Sequence, residues 1–191
     1  MEFQDVVRKR RMVRNFHADR PVPKESLDRI LHNATRGPSA GFSQGQAFLV
    51  LEGEDLAKFW ALRPMNNGVS NAPLVIVPFA CKRVYLDRYA EPDKGWADRD
   101  ESRWPVPFWH IDTGMAALLI LQTVVDEGLG ALYFGIMPDN VAPFREQYGV
   151  PDDHEPIGAI AIGYSDEPEQ SGSPRKRGRR ETADVVHYGR W

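Results

Sequence analysis

The chain has 191 residues, 42% of them hydrophobic and 27% charged, and a formal net charge of -3. That length suits one domain with a sizeable core, since single domains commonly run from roughly 100 to 200 residues, and a single unit over 1–191 is expected. The weak negative charge excludes an overall field that would gather nucleic acid or an anionic membrane. The single cysteine, Cys81, excludes an intrachain disulfide.

The opening MEFQDVVRKRR lacks the apolar core of a secretory signal, and no uninterrupted apolar run approaches the roughly 20 residues of a membrane span. Neither nucleic acid nor membrane is an expected partner, and the expected setting is the cytoplasm. From Glu2 to Arg10 the pattern predicts a short helix with Phe3, Val6 and Val7 on one face. It runs into a basic cluster, RRMVRNF, with Arg10, Arg11 and Arg14. A second helix follows Pro23, where Leu27, Ile30, Leu31 and Ala34 recur at the spacing of one apolar stripe, and it stops near Gly37 and Pro38. The loop after it, GPSAGFSQ from Gly37 to Gln44, is built of small residues that let backbone N–H groups approach a planar cofactor. The same composition also describes a simple turn.

AFLVLE from Ala47 to Glu52 reads as a strand, and EDLAKFWAL as a helix burying Leu56, Phe59 and Trp60. PLVIVPFA from Pro73 to Ala80 is apolar on both alternating faces, as a central strand covered by helices on each side should be, with Pro78 weakening its end. Cys81 closes this run and reads as a buried, inert thiol. Residues 82–104 form the least regular stretch, an excursion long enough to act as a lid over a site. The run WPVPFWH, with Trp104, Phe108, Trp109 and His110, reads either as a wall stacking on a planar substrate or as a core or dimer contact. His110 is either a proton relay or simply a hydrogen-bonded histidine.

The strongest helix is expected from about Phe108 to Glu127, central and buried, with Gly128 as its stop. A strand ALYFGI from Ala131, a helix NVAPFREQY and a strand PIGAIAIGY complete an alternation that predicts an α/β layered domain. The tail from Ser165 to Trp191 carries a second basic cluster, PRKRGRR, with Arg175, Lys176 and Arg177. It ends in DVVHYGRW, which is too apolar for a purely solvated tail and suggests packing on a second subunit. Arginine forks suit a phosphate monoester, so Arg10, Arg14, Arg175 and Arg177 are phosphate candidates; solvated surface charge and a nucleic-acid tail are the other readings of the two clusters. No spacing suggests a metal site, and no general acid or base stands out.

Taken together, four segments resemble the FMN-dependent nitroreductase family. These are RRMVRNF with PVPKESLDRIL, GPSAGFSQGQAFLVLE, AALLILQTVVDEGLGALYFGI, and the closing IGYSDEP with PRKRGRRETADVVHYGRW. The resemblance implies an α/β (α+β) fold with a central mixed sheet flanked by helices, and a homodimer whose C-terminal extension packs on the partner. It implies FMN, with NADH or NADPH as hydride donor and a small planar acceptor such as a nitroaromatic or a quinone. Arg10, Arg11 and Arg14, with Arg175 and Arg177, would then hold the FMN phosphate, ribityl chain and pyrimidine side of the ring. Pro38, Ser39 and Ala40 would line the ring, Tyr133, Phe134 and Gly135 would approach its other edge, and Met12, Phe42 and Gln44 fall at motif positions beside it. Met12 stands where the family has a small hydroxyl residue, Phe42 where it commonly has Asn, and Gly45 and Gln46 where it has Pro and Trp. Within the same fold two other roles are open: a flavin-fragmenting enzyme like the dimethylbenzimidazole synthases, and a protein that sequesters FMN without turnover.

Overall fold

The computed structural model describes residues 1–65, 68–167 and 178–191. Five strands build one sheet: β1 (Gln46–Leu51), β2 (Leu74–Ala80), β3 (Gly130–Phe134), β4 (Glu155–Pro156) and β5 (Ala159–Gly163). Their order is β1-β2-β5-β3, with β4 also on β2. Among the described residues every strand pair is antiparallel, so parallel pairing, expected of a mixed sheet, occurs there only as an isolated bridge between Met12 and Ala131.

All seven residues of β2 are buried, and their alternation divides the core in two. Val75, Val77 and Phe79 join Leu56 and Phe59 of α3 (Gly53–Leu62) and Phe144 of α6 (Pro138–Tyr148) on one face. Leu74 and Ile76 join Ile30 and Ala34 of α2 (Lys24–Ala34) and Ala117, Ile120 and Val124 of α5 (Phe108–Asp126) on the other. Period-two alternation on a fully apolar strand thus feeds two helical layers, each buried Ile or Phe contributing about 1.5–3 kcal/mol. Pro78 is tolerated because it sits where the β5 ladder ends, at Ile76, and before the β4 ladder starts, at Phe79. Its carbonyl still accepts the Ile157 N–H at 3.1 Å.

Several expectations are corrected. The single strand expected over PIGAIAIGY is split into β4 and β5 at Gly158, whose φ of 148° and close approach to Tyr133 and Phe134 interrupt the ladder. In α1 (Phe3–Lys9) only Val6 is buried, while Phe3 and Val7 face outward. The irregular excursion contains a regular helix, α4 (Lys82–Ala90), and a short 3-10 turn at Glu101–Arg103.

Helix α5 is central but not enclosed: Ile111, Met115 and Leu118 stay 39–45% exposed along one side. By length and composition it is the one helix among the described residues that could cross a membrane, yet half of that window is buried inside the fold.

Candidate functional site

The opening segment is fastened to the edge of the sheet. The Val13 N–H donates to the Ala131 carbonyl at 2.8 Å, and the Met12 thioether accepts the Tyr133 N–H at 3.4 Å. Phe16, 1% exposed, forms a bridge to Ser165. Glu167 closes the loop from the far end of the chain, accepting from the Arg11 guanidinium at 2.6 Å and from the Arg14 backbone N–H at 2.5 Å. Arg11 also donates to the Ser165 hydroxyl at 3.1 Å.

The three arginines therefore differ. Arg11 is engaged by Glu167, whereas Arg14 donates from one guanidinium nitrogen to the Met12 carbonyl at 3.2 Å, and Arg10 has no side-chain partner among the described residues. Two planar cationic forks with unengaged donors suit an anionic group such as a phosphate. Arg175 and Arg177, with Lys176 between them, lie outside the described residues.

The Gly37–Gln44 loop is shaped by left-handed backbone: φ is 61° at Gly41, 56° at Phe42 and 54° at Gln44. For Phe42 and Gln44 that conformation costs about 1–3 kcal/mol each, so surrounding contacts must hold it. Inside the loop, the Ser39 hydroxyl accepts the Gln44 N–H at 3.0 Å and the Ser43 hydroxyl donates to the Ala40 carbonyl at 2.6 Å. From outside, one Asp112 oxygen accepts both the Ala40 N–H at 2.8 Å and the Tyr85 hydroxyl at 2.9 Å, and Arg88 Nε donates to the Gly41 carbonyl at 3.1 Å. The Tyr89 ring covers Gly41 so closely that a Cβ there would lie 2.6 Å from it, and Tyr85 covers Gly45 in the same way. Pro38 and Gln44 are exposed, Ser39 and Ala40 half-buried, and Phe42 presents its ring to solvent at 75% exposure.

Asp112 is 4% exposed and has no ion-pair partner among the described residues. Burial, followed by this hydrogen bond to the carboxylate, pushes the Tyr85 hydroxyl far above its usual range and keeps it a donor. Sequence reasoning missed this group; the available signal was a single acid in the first turns of α5, an otherwise largely apolar helix.

Beside the loop, Trp104 is the hub of an aromatic cluster. Its ring centroid lies 4.5 Å from Tyr89, 5.5 Å from Trp96, 5.8 Å from Phe108 and 5.9 Å from Trp109. The WPVPFWH run thus packs largely against α4 and the excursion, with Trp109 buried. His110 is hydrogen-bonded to Glu155 at 2.9 Å.

At the end of β3, the Tyr133 hydroxyl donates to the Ile157 carbonyl at 2.6 Å, and Phe134 stacks on Trp60 at 6.1 Å. Gly135 is exposed, with open space where a side chain would be. Strand register carries Gln46, Ala80 and Phe134 toward the same end of the sheet. Among the described residues, no hydrogen bond, ion pair or ring contact joins Arg10 or Arg14 to the Pro38–Gln44 loop.

One cluster was unexpected. Ligand atoms of Cys81, Asp153 and His154 lie within 4.8 Å of one another. The His154 and Arg83 hydrogen bonds hold the Asp153 carboxyl down to about 2, and burial pushes the Cys81 thiol up. With Arg83 at 2.6 Å, the carboxylate already has a cationic partner, and the protonated thiol makes a poor ligand.

The family model described as "Nitroreductase family" matches residues 7–64 and 62–164. The chain belongs to the nitroreductase family. A Methanothermobacter thermautotrophicus protein, provisionally named an NADH dehydrogenase/NAD(P)H nitroreductase, is 29% identical to it over 194 residues, covering 100% of this chain and 88% of the relative. Among solved structures, one similar in fold is that of an Exiguobacterium sibiricum protein, provisionally named a nitroreductase, in complex with FMN. It has a TM-score of 0.76 at 22% identity, covering 98% of this chain and 97% of that one. Another is the nitroreductase CinD of Lactococcus lactis in complex with 4-nitrophenol, with a TM-score of 0.78 at 18% identity, covering 99% and 100%.

Proposed function

We propose that the protein is an FMN-dependent oxidoreductase that takes hydride from NADH or NADPH and reduces a small planar acceptor such as a nitroaromatic or a quinone. The observation that carries this reading is the pair of guanidinium forks on the opening motif of a nitroreductase-family chain, Arg10 with no side-chain partner among the described residues and Arg14 with a single bond to the Met12 carbonyl. When bound, FMN supplies the hydride-accepting chemistry. The protein's own residues position and neutralise. Arg10 and Arg14, with Arg175 and Arg177, hold the phosphate and the pyrimidine side, and a cation there favours negative charge developing on the ring. Pro38, Ser39, Ala40, Phe42 and Gln44 line the ring, and Met12, Tyr133, Phe134 and Gly135 border it. Names of relatives agree with the reading: one includes NAD(P)H nitroreductase, and the similar folds were solved with FMN and with 4-nitrophenol.

The working form in this reading is a homodimer whose partner subunit completes the flavin site. Its support is the exposed apolar stripe Ile111, Met115 and Leu118 on α5, together with a tail that leaves Val185, Val186, Tyr188 and Trp191 outside the core of its own chain. Such surfaces favour association when they find a complementary face. Mixing the purified protein with FMN and measuring flavin binding alongside the molar mass in solution tests the reading. A flavin-loaded dimer is expected; a monomer that takes up no FMN would reject it.

A further inference from the structure

Three of the four backbone positions from Gly41 to Gln44 are left-handed, and two of them bear side chains, so this turn is not the conformation its own residues prefer. Something outside the turn must hold it. Among the described residues, two polar contacts reach it from elsewhere in the fold: Asp112 of α5 on the Ala40 N–H, and Arg88 of α4 on the Gly41 carbonyl. Each is itself fixed. Asp112 is buried and shares its accepting oxygen with the Tyr85 hydroxyl, and Arg88 is held by Asp93 through two 2.7 Å bonds and by Glu91 at 3.0 Å. Tyr89, next along α4, closes the face of Gly41 and is anchored by Trp96 and Trp104.

We propose that Asp112 and Arg88 are positioning residues forming a two-point clamp that fixes the Ser39–Gln44 turn and the outward Phe42 ring, making the 82–104 excursion a bracket for the ring-lining loop. The inference rests on the flavin-binding reading of that loop. A carboxylate suits the Asp112 position because it accepts two donors on one oxygen with no proton of its own to place. An arginine suits position 88 because its fork is divided between the Asp93 carboxylate and the Gly41 carbonyl, tying the excursion to the turn.

The test compares Asp112→Ala, Asp112→Asn and Arg88→Met, following amide hydrogen exchange at residues 40, 42, 43 and 44 without flavin and FMN affinity by flavin fluorescence. Loss of either clamp point should speed exchange in the turn and weaken FMN binding, each about fivefold to tenfold, the usual effect of one lost hydrogen bond. Exchange in β2 and β5 should not change. Asp112→Asn, whose amide oxygen still accepts both donors, should stay within about twofold of the parent protein. Unchanged exchange in the turn for Asp112→Ala and Arg88→Met would overturn the clamp, as would an Asn variant as impaired as the Ala variant. If Asp112→Ala does not fold, Arg88→Met decides by the same criteria, because it alters only a half-exposed side chain. A parent protein that binds no FMN would reject the flavin reading, while the exchange measurement would still decide the clamp.

Discussion

Glu167 holds Arg11 through a 2.6 Å ion pair and, with its other carboxylate oxygen, accepts the Arg14 backbone N–H at 2.5 Å. One side chain thus ties the start of the chain to the segment after β5, and it sets the backbone that carries Arg10 and Arg14. Its carboxylate is nearly buried, with 10% side-chain exposure, so removing it leaves the Arg11 charge without this partner. Glu167→Ala should lower stability by about 1–3 kcal/mol, and Glu167→Gln by less, since an amide oxygen still accepts the Arg14 N–H. Denaturant unfolding of the three proteins checks this ordering; equal stability would mean that the pair contributes nothing.

The division of labour among the arginines predicts a contrast. Arg10→Gln and Arg14→Gln should each weaken FMN binding about tenfold to a hundredfold, the worth of a hydrogen bond to a charged group, with little change in unfolding temperature. Arg11→Gln should mainly cost stability. Isothermal titration with FMN beside thermal unfolding separates the two outcomes, and an Arg11 variant that lost flavin without losing stability would reverse the assignment.

Gly158 is the hinge between β4 and β5. A methyl group there would lie 2.6 Å from the Tyr133 ring and 2.8 Å from the Phe134 carbonyl oxygen, at a φ that L residues rarely adopt. Gly158→Ala should destabilise by about 1–3 kcal/mol and disturb the Tyr133 end of β3. Denaturant unfolding measures the cost, and a variant as stable as the parent protein would show that the strand end yields freely.

Alkaline stability has an identifiable contributor. Burial, and then the nearby Asp55 charge, pushes the Tyr148 hydroxyl up to about 12, and that hydroxyl donates to the Asp55 carbonyl at 2.8 Å. A folded-state value above the unfolded one, about 10, gives stability that is fully present below pH 10 and lost as pH rises through 12. Between those limits the parent protein should lose stability more steeply than Tyr148→Phe. Parallel unfolding curves across that window would contradict the assignment.

Much of the fold was legible in the sequence because its signals are local. The apolar run at Leu74–Ala80 reads as a covered central strand, and the stripe Leu27, Ile30, Leu31 and Ala34 as a helix facing a core. What escaped depends on distant partners or on backbone conformation. The break at Gly158 comes from the approach of Tyr133, and the exposed side of α5 cannot be read from composition, because Ile111, Met115 and Leu118 are as apolar as their buried neighbours. The basic opening motif was visible, yet Arg10, Arg11 and Arg14 look alike until Glu167 selects one of them. Asp112 was invisible as part of the loop's support because Ala40 and Tyr85 reach it from 72 and 27 residues away.

Rapid anaerobic mixing of the FMN-loaded protein with NADH and with NADPH, following the yellow flavin absorbance, tests the oxidoreductase reading most directly. Bleaching with at least one donor at a rate far above that of free FMN is expected. Bound flavin that neither donor bleaches faster than free FMN would contradict the oxidoreductase reading and favour a flavin-sequestering protein.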